Sequence, residues 1–219
     1  GFADTFKVTV NEANTPPDFA LTSTSVDFTE NATESVIDLN ATNGDGGVAD
    51  FGITYSITGG EDAGDFLLNS STGELTFSNS PDFENPTDAN TDGIYEVTIT
   101  ADDGRPENNT SNVTLEITVI NVNESPILST PIADVTVDEN AAYTVIDLST
   151  NFNDVETASG LLIYTVEVND NPTLVTATIS DSALTLNYQI DQFGVANITV
   201  KASDGELSVE DSFIVFFFF

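Results

Sequence analysis

The sequence lacks four residue types altogether, and each absence excludes a kind of chemistry. Cys, His, Trp and Met do not occur among its 219 residues. Without Cys the chain can form neither disulfides nor zinc–thiolate sites, and it has no thiol nucleophile. Without His it has no imidazole to act as a general base or a metal ligand near neutral pH. Metal binding, if present, must therefore use oxygen ligands.

Basic side chains are almost absent as well. The chain has only Lys7, Arg105 and Lys201 against 37 Asp and Glu, which gives a formal net charge of −34 at pH 7. Nucleic acid binding needs a basic surface and is excluded, and an anionic membrane surface would repel the chain. No apolar run is long enough for membrane insertion. Repulsion between so many negative charges opposes folding unless cations offset it. The cations can be salt ions around a salt-adapted surface, ions bound at specific sites, or both.

The residues that are present favour β-structure. Phe occurs 15 times, Val, Ile and Thr are frequent, and apolar and polar residues alternate over short segments such as 95–100. Gly- and Asp-rich turn clusters separate these segments, and no window predicts a long amphipathic helix. We therefore predict an all-β chain of two tandem Greek-key β-sandwiches, arranged end to end, with an extra N-terminal strand.

An acidic sequence motif that ends in proline occurs twice and indicates a repeat. Residues 10–17 and 122–126 carry it, and each copy follows a strand-like run, at 5–10 and 114–119 respectively. The spacing indicates a repeat of roughly 100 residues. We expect the chain to belong to a longer polypeptide. Residues 1–17 are predicted to be the final strand and linker of a preceding repeat, or a donor strand, and residues 18–120 a first domain. Residues 121–126 are predicted to be a cation-binding linker and residues 127–219 a second domain.

Acidic and amide side chains cluster at the ends of the predicted strands, in the segments Glu30-Asn31, Asn43-x-Asp45, Asp82-x-Glu84, Ala101-x-Asp103-Gly104 and Asn121 to Pro126. Carboxylate and amide oxygens are the ligands that a hard divalent cation prefers. Together these segments resemble the motifs of the cadherin family. The short linker is similar to that of bacterial cadherin-like repeats in large surface proteins. The second domain lacks one of the motifs and is more similar to cadherin-related, Ig-like repeats of adhesins.

The resemblance implies Ca²⁺ binding at two joints between domains. Ions there would hold together carboxylates that otherwise repel one another. The alternative is that these acidic turns bind no ion and are solvated by water, since Asp, Asn and Gly favour turns in any case. For the central joint the resemblance implies Glu30, Asp82, Glu84, Asn121, Asn123, Glu124, Asp154, Glu156 and Asp204. For the first joint it implies Glu12, Asn14, Asn43, Asp45 and Asp103.

These features predict a non-enzymatic, calcium-rigidified structural or adhesive segment of an extracellular bacterial surface protein or filament. Its expected partners are neighbouring repeats or identical subunits, including polymerisation by strand addition through residues 5–10, and cell-surface glycans or proteins. The alternative is a carbohydrate-binding β-sandwich module of a secreted protein. That function would require a row of exposed Tyr or Phe on one sheet face.

Overall fold

Two β-rich units make up the chain, residues 1–122 and 123–219. The computed structural model describes residues 14–43, 52–107, 109–138 and 141–218. The predicted strand at 5–10 and the candidate ligands Glu12 and Asp45 lie outside these ranges. Within them, helical structure is limited to single 3₁₀ turns, and no helix there has the length and apolar character needed to cross a membrane.

The first unit is a Greek-key sandwich of two sheets. A four-stranded sheet has the order β2-β9-β8-β5, a three-stranded sheet has the order β3-β7-β6, and β1 pairs with β4. The β2–β9 pair is parallel, whereas β8 pairs antiparallel with both of its neighbours. The strands are β1 (Asp18–Phe19), β2 (Ser25–Thr29), β3 (Ile37–Asp38), β4 (Ala41–Thr42), β5 (Thr54–Gly59), β6 (Phe66–Leu68), β7 (Glu74–Phe77), β8 (Ile94–Asp102) and β9 (Thr110–Ile120).

Alternation along the long strands builds the core of this unit. On β8, Tyr95, Val97 and Ile99 point into the sandwich and are buried, whereas the residues between them are less buried. The opposing sheet contributes Phe66 and Phe77, whose rings contact the Tyr95 ring edge-on. Each large apolar side chain buried in this way contributes about 1.5–3 kcal/mol to folding.

The second unit repeats the topology of the first strand by strand. Its four-stranded sheet has the order β11-β18-β17-β14, its three-stranded sheet has the order β12-β16-β15, and β10 pairs with β13. As in the first unit, the pairing of the last strand with the strand at the sheet edge, here β11, is parallel. The strands are β10 (Ile127–Leu128), β11 (Val135–Asp138), β12 (Thr144–Asp147), β13 (Phe152–Asn153), β14 (Ile163–Asn169), β15 (Val175–Ser180), β16 (Ala183–Tyr188), β17 (Gly194–Ser203) and β18 (Ser208–Phe218).

Phe216 to Phe218, near the end of the sequence, belong to an ordinary alternating strand, β18. Phe217 is buried and its ring packs edge-on against Tyr188, with ring centroids 5.1 Å apart. Phe218 on the other face is 54% exposed. Both residues continue the parallel ladder between β18 and β11. The predicted fold class, an all-β pair of sandwiches, is thus confirmed.

One glycine of the first unit is required by a close backbone approach. Gly60 follows β5 with φ +100°, and a Cβ there would lie 2.3 Å from the carbonyl oxygen of Glu96. We expect Gly60→Ala to lower the free energy of unfolding by at least about 2 kcal/mol, because the energetic cost of a positive φ adds to the cost of the steric clash. Gly64→Ala is the matched control, since a Cβ at Gly64 meets nothing within 4 Å. Equal melting temperatures for the two variants would contradict this account.

Candidate metal-binding half-sites

The first half-site, made of Glu30, Asp82, Glu84 and Asn121, lies within the first unit and is organised around a buried carboxylate. Glu30 directly follows β2 and is 2% exposed. Its N–H donates to the Ile120 carbonyl at 3.1 Å, which extends the ladder beyond β2. The Phe83 N–H donates to Glu30 Oε2 at 2.8 Å, and the Val122 N–H donates to Oε1 at 2.7 Å. Glu30 therefore fixes both the loop after β7 and the start of the linker.

The other members of the first half-site lie beside Glu30. A carboxylate oxygen of Glu84 lies within 4.8 Å of one of Glu30. The Asn121 amide donates to Glu84 Oε1 at 2.6 Å, and Asp82 Oδ1 accepts from the Asn85 N–H at 2.9 Å. Glu84 and Asp82 are exposed, so both retain access to solvent ions. The side chains of this half-site can coordinate a metal ion through carboxylate oxygens and the Asn121 amide oxygen. Such oxygen ligands suit a hard cation.

The second half-site, made of Asn123, Glu124, Asp154, Glu156 and Asp204, lies within the second unit. Asp154 follows β13 and is 7% exposed. Its Oδ1 accepts from the N–H groups of Glu156 at 3.1 Å and Thr157 at 2.7 Å. Its Oδ2 is buried and has no hydrogen-bond partner among the described residues. A buried carboxylate oxygen without a partner is costly unless a cation satisfies it, so this atom fits a bound metal ion.

The first two linker residues of the second unit are held by acidic side chains. The Asn123 amide donates to Asp204 Oδ2 at 2.8 Å, and the Glu124 N–H donates to Glu156 Oε2 at 3.4 Å. Carboxylate oxygens of Glu124 and Glu156 lie within 4.8 Å of each other. Hydrogen bonds from the Glu206 and Leu207 N–H groups, followed by the one from Asn123, lower the pKa of Asp204. Asp204 is therefore held as a charged carboxylate near neutral pH.

The residues predicted for the first joint are only partly described. The Asn14 amide donates to Asp103 Oδ2 at 3.0 Å and to the Glu107 carbonyl at 2.9 Å. Asp103 Oδ1 also accepts from the Arg105 N–H at 3.0 Å. The structure thus brings Asn14 and Asp103 together, and it places Asn43 directly after β4. Glu12 and Asp45 stay predictions.

Sequence reasoning missed two buried carboxylates in the first unit. Asp62 and Asp88 are 6% and 3% exposed. All four of their oxygens accept N–H groups of the backbone between residues 89 and 96. The signal in the sequence was the acidic, Asn-rich segment 88–93, which reads as a turn, while Asp62 is brought to it only by the fold. Burial, then the charges of Asp62 and Asp88, raise the pKa of the neighbouring Asp65.

Comparison with known proteins identifies the repeats. Residues 24–120 match the family model described as the cadherin domain. Residues 24–120 are therefore a cadherin-like repeat. The mouse protein protocadherin Fat 4 is 33% identical over 125 residues, which cover 56% of this chain and 2% of that protein. A Fat-like cadherin-related tumor suppressor homolog of Drosophila melanogaster is 27% identical over 192 residues, which cover 85% of this chain and 4% of that protein.

A prokaryotic relative and solved structures extend the likeness. Halomucin of Haloquadratum walsbyi is 45% identical over 60 residues, covering 27% of this chain and 1% of that protein. Human protocadherin-24 EC1-2 has a TM-score of 0.57 at 17% identity, over 93% of this chain and 99% of that one. Mouse cadherin-23 EC22-24 has a TM-score of 0.57 at 18% identity, over 94% and 67%. The structures establish the fold of this chain, which spans only 1% to 4% of the sequence relatives' lengths.

Proposed function

We propose that this chain is a non-enzymatic, structural and adhesive segment of an extracellular protein, and that Ca²⁺ bound at linker residues 121–126 makes it rigid. The observation that carries the proposal is the way consecutive linker residues are held. In the first half-site, Glu84 and Glu30 accept hydrogen bonds from Asn121 and Val122. In the second, Asp204 and Glu156 accept hydrogen bonds from Asn123 and Glu124. Ions that take ligands from both half-sites would fix the linker and, with it, the angle between the repeats.

Repulsion between close carboxylates gives a physical reason for a bound cation. Glu30 and Glu84 form one close carboxylate pair and Glu124 and Glu156 form another. Like charges at such distances repel one another. A divalent cation converts the repulsion into attraction and also satisfies the orphaned Oδ2 of Asp154. Glu30 and Glu156 also accept backbone N–H groups of the linker. Glu84 and Asp204 accept the side-chain amides of Asn121 and Asn123.

The setting we propose is a bacterial or other prokaryotic surface protein or filament. Halomucin, a prokaryotic protein, shares a segment with this chain, and the net charge of −34 keeps such a surface soluble and hydrated. Neighbouring repeats or identical subunits are the expected partners, with strand addition as one way to join them. The carbohydrate-binding alternative gains no support from the five tyrosines, because they form no exposed row. Tyr55, Tyr95 and Tyr164 are buried, Tyr188 is half-buried, and Tyr143 alone is exposed.

Calcium titration of single-residue variants tests this function. We expect calorimetry to show Ca²⁺ binding to the wild-type chain, with affinity lowered at least about tenfold in Glu156→Gln, since Ca²⁺ affinity depends on the number of charged ligands. Glu210→Gln is the matched control, because Glu210 is an exposed carboxylate on β18 of the same unit. Absence of binding to the wild type, or equal affinities for the two variants, would contradict the proposal.

A further inference from the structure

The loop that carries two of the proposed calcium ligands is anchored on a buried tyrosine. Residues 82–93, called the ligand loop below, form the later part of the connection from β7 to β8 and contain Asp82 and Glu84. The Thr87 N–H donates to the hydroxyl oxygen of Tyr95 at 3.0 Å, and the Thr87 hydroxyl lies 3.3 Å from the same atom. The side chain of Tyr95 is 1% exposed and its ring is packed in the core. The anchor is therefore part of the rigid sandwich.

The far part of the ligand loop is held by the two buried carboxylates. Asp62 accepts the N–H of Ala89 through one oxygen and that of Glu96 through the other, each at 2.7 Å. Asp88 accepts the N–H groups of Asp92 at 2.9 Å and Gly93 at 3.2 Å. Since charge-assisted hydrogen bonds are about twice as strong as neutral ones, these contacts leave the loop after Thr87 little freedom.

The connection between the tyrosine anchor and the ligands is short and stiff. Only Asn85 and Pro86 separate Glu84 from Thr87. Proline fixes its own φ and restricts the residue before it. The Asn85 N–H is in turn bound by Asp82, and the Phe83 N–H is bound by Glu30. The position of Thr87 therefore determines where the Glu84 carboxylate can lie.

We propose that Tyr95 is a positioning residue for calcium binding, acting through Thr87 on Glu84 and Asp82. The inference rests on the proposed function, since it assigns a role at the same site. A tyrosine that binds backbone at this corner of a Greek-key sandwich is a known device for stability. What the geometry adds here is that the corner it holds carries metal ligands. Outer partners that orient metal ligands typically change metal affinity about 10–100-fold when removed.

A pair of matched tyrosine variants tests this role. Tyr95→Phe removes only the hydroxyl at the loop, and Tyr55→Phe removes a hydroxyl that accepts the Ala41 N–H at 3.0 Å elsewhere in the same unit. Tyr55 is likewise buried, at 2% exposure. Both variants should lose similar stability in chelator, measured by chemical unfolding. Only Tyr95→Phe should lower the Ca²⁺ affinity measured by calorimetry, by about tenfold.

The outcomes separate this inference from the proposed function. If the wild type binds Ca²⁺ and both Phe variants bind it equally well, Tyr95 is purely structural and the inference is overturned. If the wild type binds no Ca²⁺, both proposals are overturned. Should Tyr95→Phe not fold, Pro86→Gly takes its place, since it loosens the Glu84–Thr87 connection and keeps every anchor. Pro86→Gly should weaken Ca²⁺ binding, and unchanged affinity in that variant overturns the inference.

Discussion

Glu30→Ala is expected to abolish most of the stabilisation by Ca²⁺ and to destabilise the first unit even when Ca²⁺ is chelated. The side chain is 2% exposed and accepts the N–H groups of Phe83 and Val122. Its removal leaves two donors without an acceptor, and each buried unsatisfied group costs about 1–3 kcal/mol. We therefore expect a loss of about 2–6 kcal/mol in chelator. Far-ultraviolet circular dichroism with denaturant measures it.

The control for this prediction lies four residues further along the chain. Glu34 is an exposed carboxylate outside strand structure, so Glu34→Ala should change the free energy of unfolding by less than about 0.5 kcal/mol. It should also keep the full response to Ca²⁺. A Glu30→Ala protein that is as stable as Glu34→Ala in chelator would show that water replaces the carboxylate without cost. A retained response to Ca²⁺ would remove Glu30 from the site.

The second large effect concerns salt rather than Ca²⁺. With 37 acidic and 3 basic residues, self-repulsion opposes folding at low ionic strength. Between about 0.01 M and 1 M monovalent salt, the Debye length falls from about 30 Å to about 3 Å, so most of this repulsion is screened. In chelator we expect the melting temperature to rise by about 10–30 °C over that range, equivalent to about 2–4 kcal/mol.

Ion identity separates screening from specific binding. NaCl and tetramethylammonium chloride at equal ionic strength should stabilise similarly if screening dominates, because the bulky cation cannot enter a carboxylate cluster. Ca²⁺ at far lower concentration should add a further increase that Glu156→Gln loses and Glu210→Gln keeps. A melting temperature that is independent of salt in chelator would refute the role assigned to the net charge.

The strands that follow from local alternation could be predicted from the sequence, and those that depend on distant pairing could not. The segment 95–101 is predicted as a strand and lies within β8 (Ile94–Asp102). By contrast, β2 is not predicted from the sequence, because its strand character depends on a parallel ladder with β9, which lies almost a whole domain away along the chain. The two-residue strands β1 and β10 are too short to show any period.

The second unit shows that the fold does not depend on a complete set of metal motifs. Its segment between β16 and β17 has no counterpart of Asp82-x-Glu84, yet its strands have the same order and the same parallel pair. Its core comes from alternating residues such as Ile198, Val200 and Phe213, all buried. Apolar alternation specifies the sandwich, and the strand ends remain free to vary in their ligands.

Of the candidate site, only the residues that belong to sequence motifs could be predicted. Glu30, Glu84 and Asn121 are recognised by residue type and order, and the structure places them in hydrogen-bonded contact or within a few ångströms. The residues that hold the ligand loop could not be found in this way, because Asp62 and Tyr95 come from separate elements. Their role depends on backbone N–H groups that no sequence pattern reveals.

A distance measurement across the linker tests the central claim most directly. The absence of Cys allows clean spin labelling of Ser71→Cys and Ser180→Cys, two exposed positions in different units. Pulsed dipolar spectroscopy should give a narrow distance distribution with Ca²⁺ and a broad one with chelator, and Glu156→Gln should stay broad in both. Equally broad or equally narrow distributions with and without Ca²⁺ in the wild type would contradict a calcium-rigidified linker.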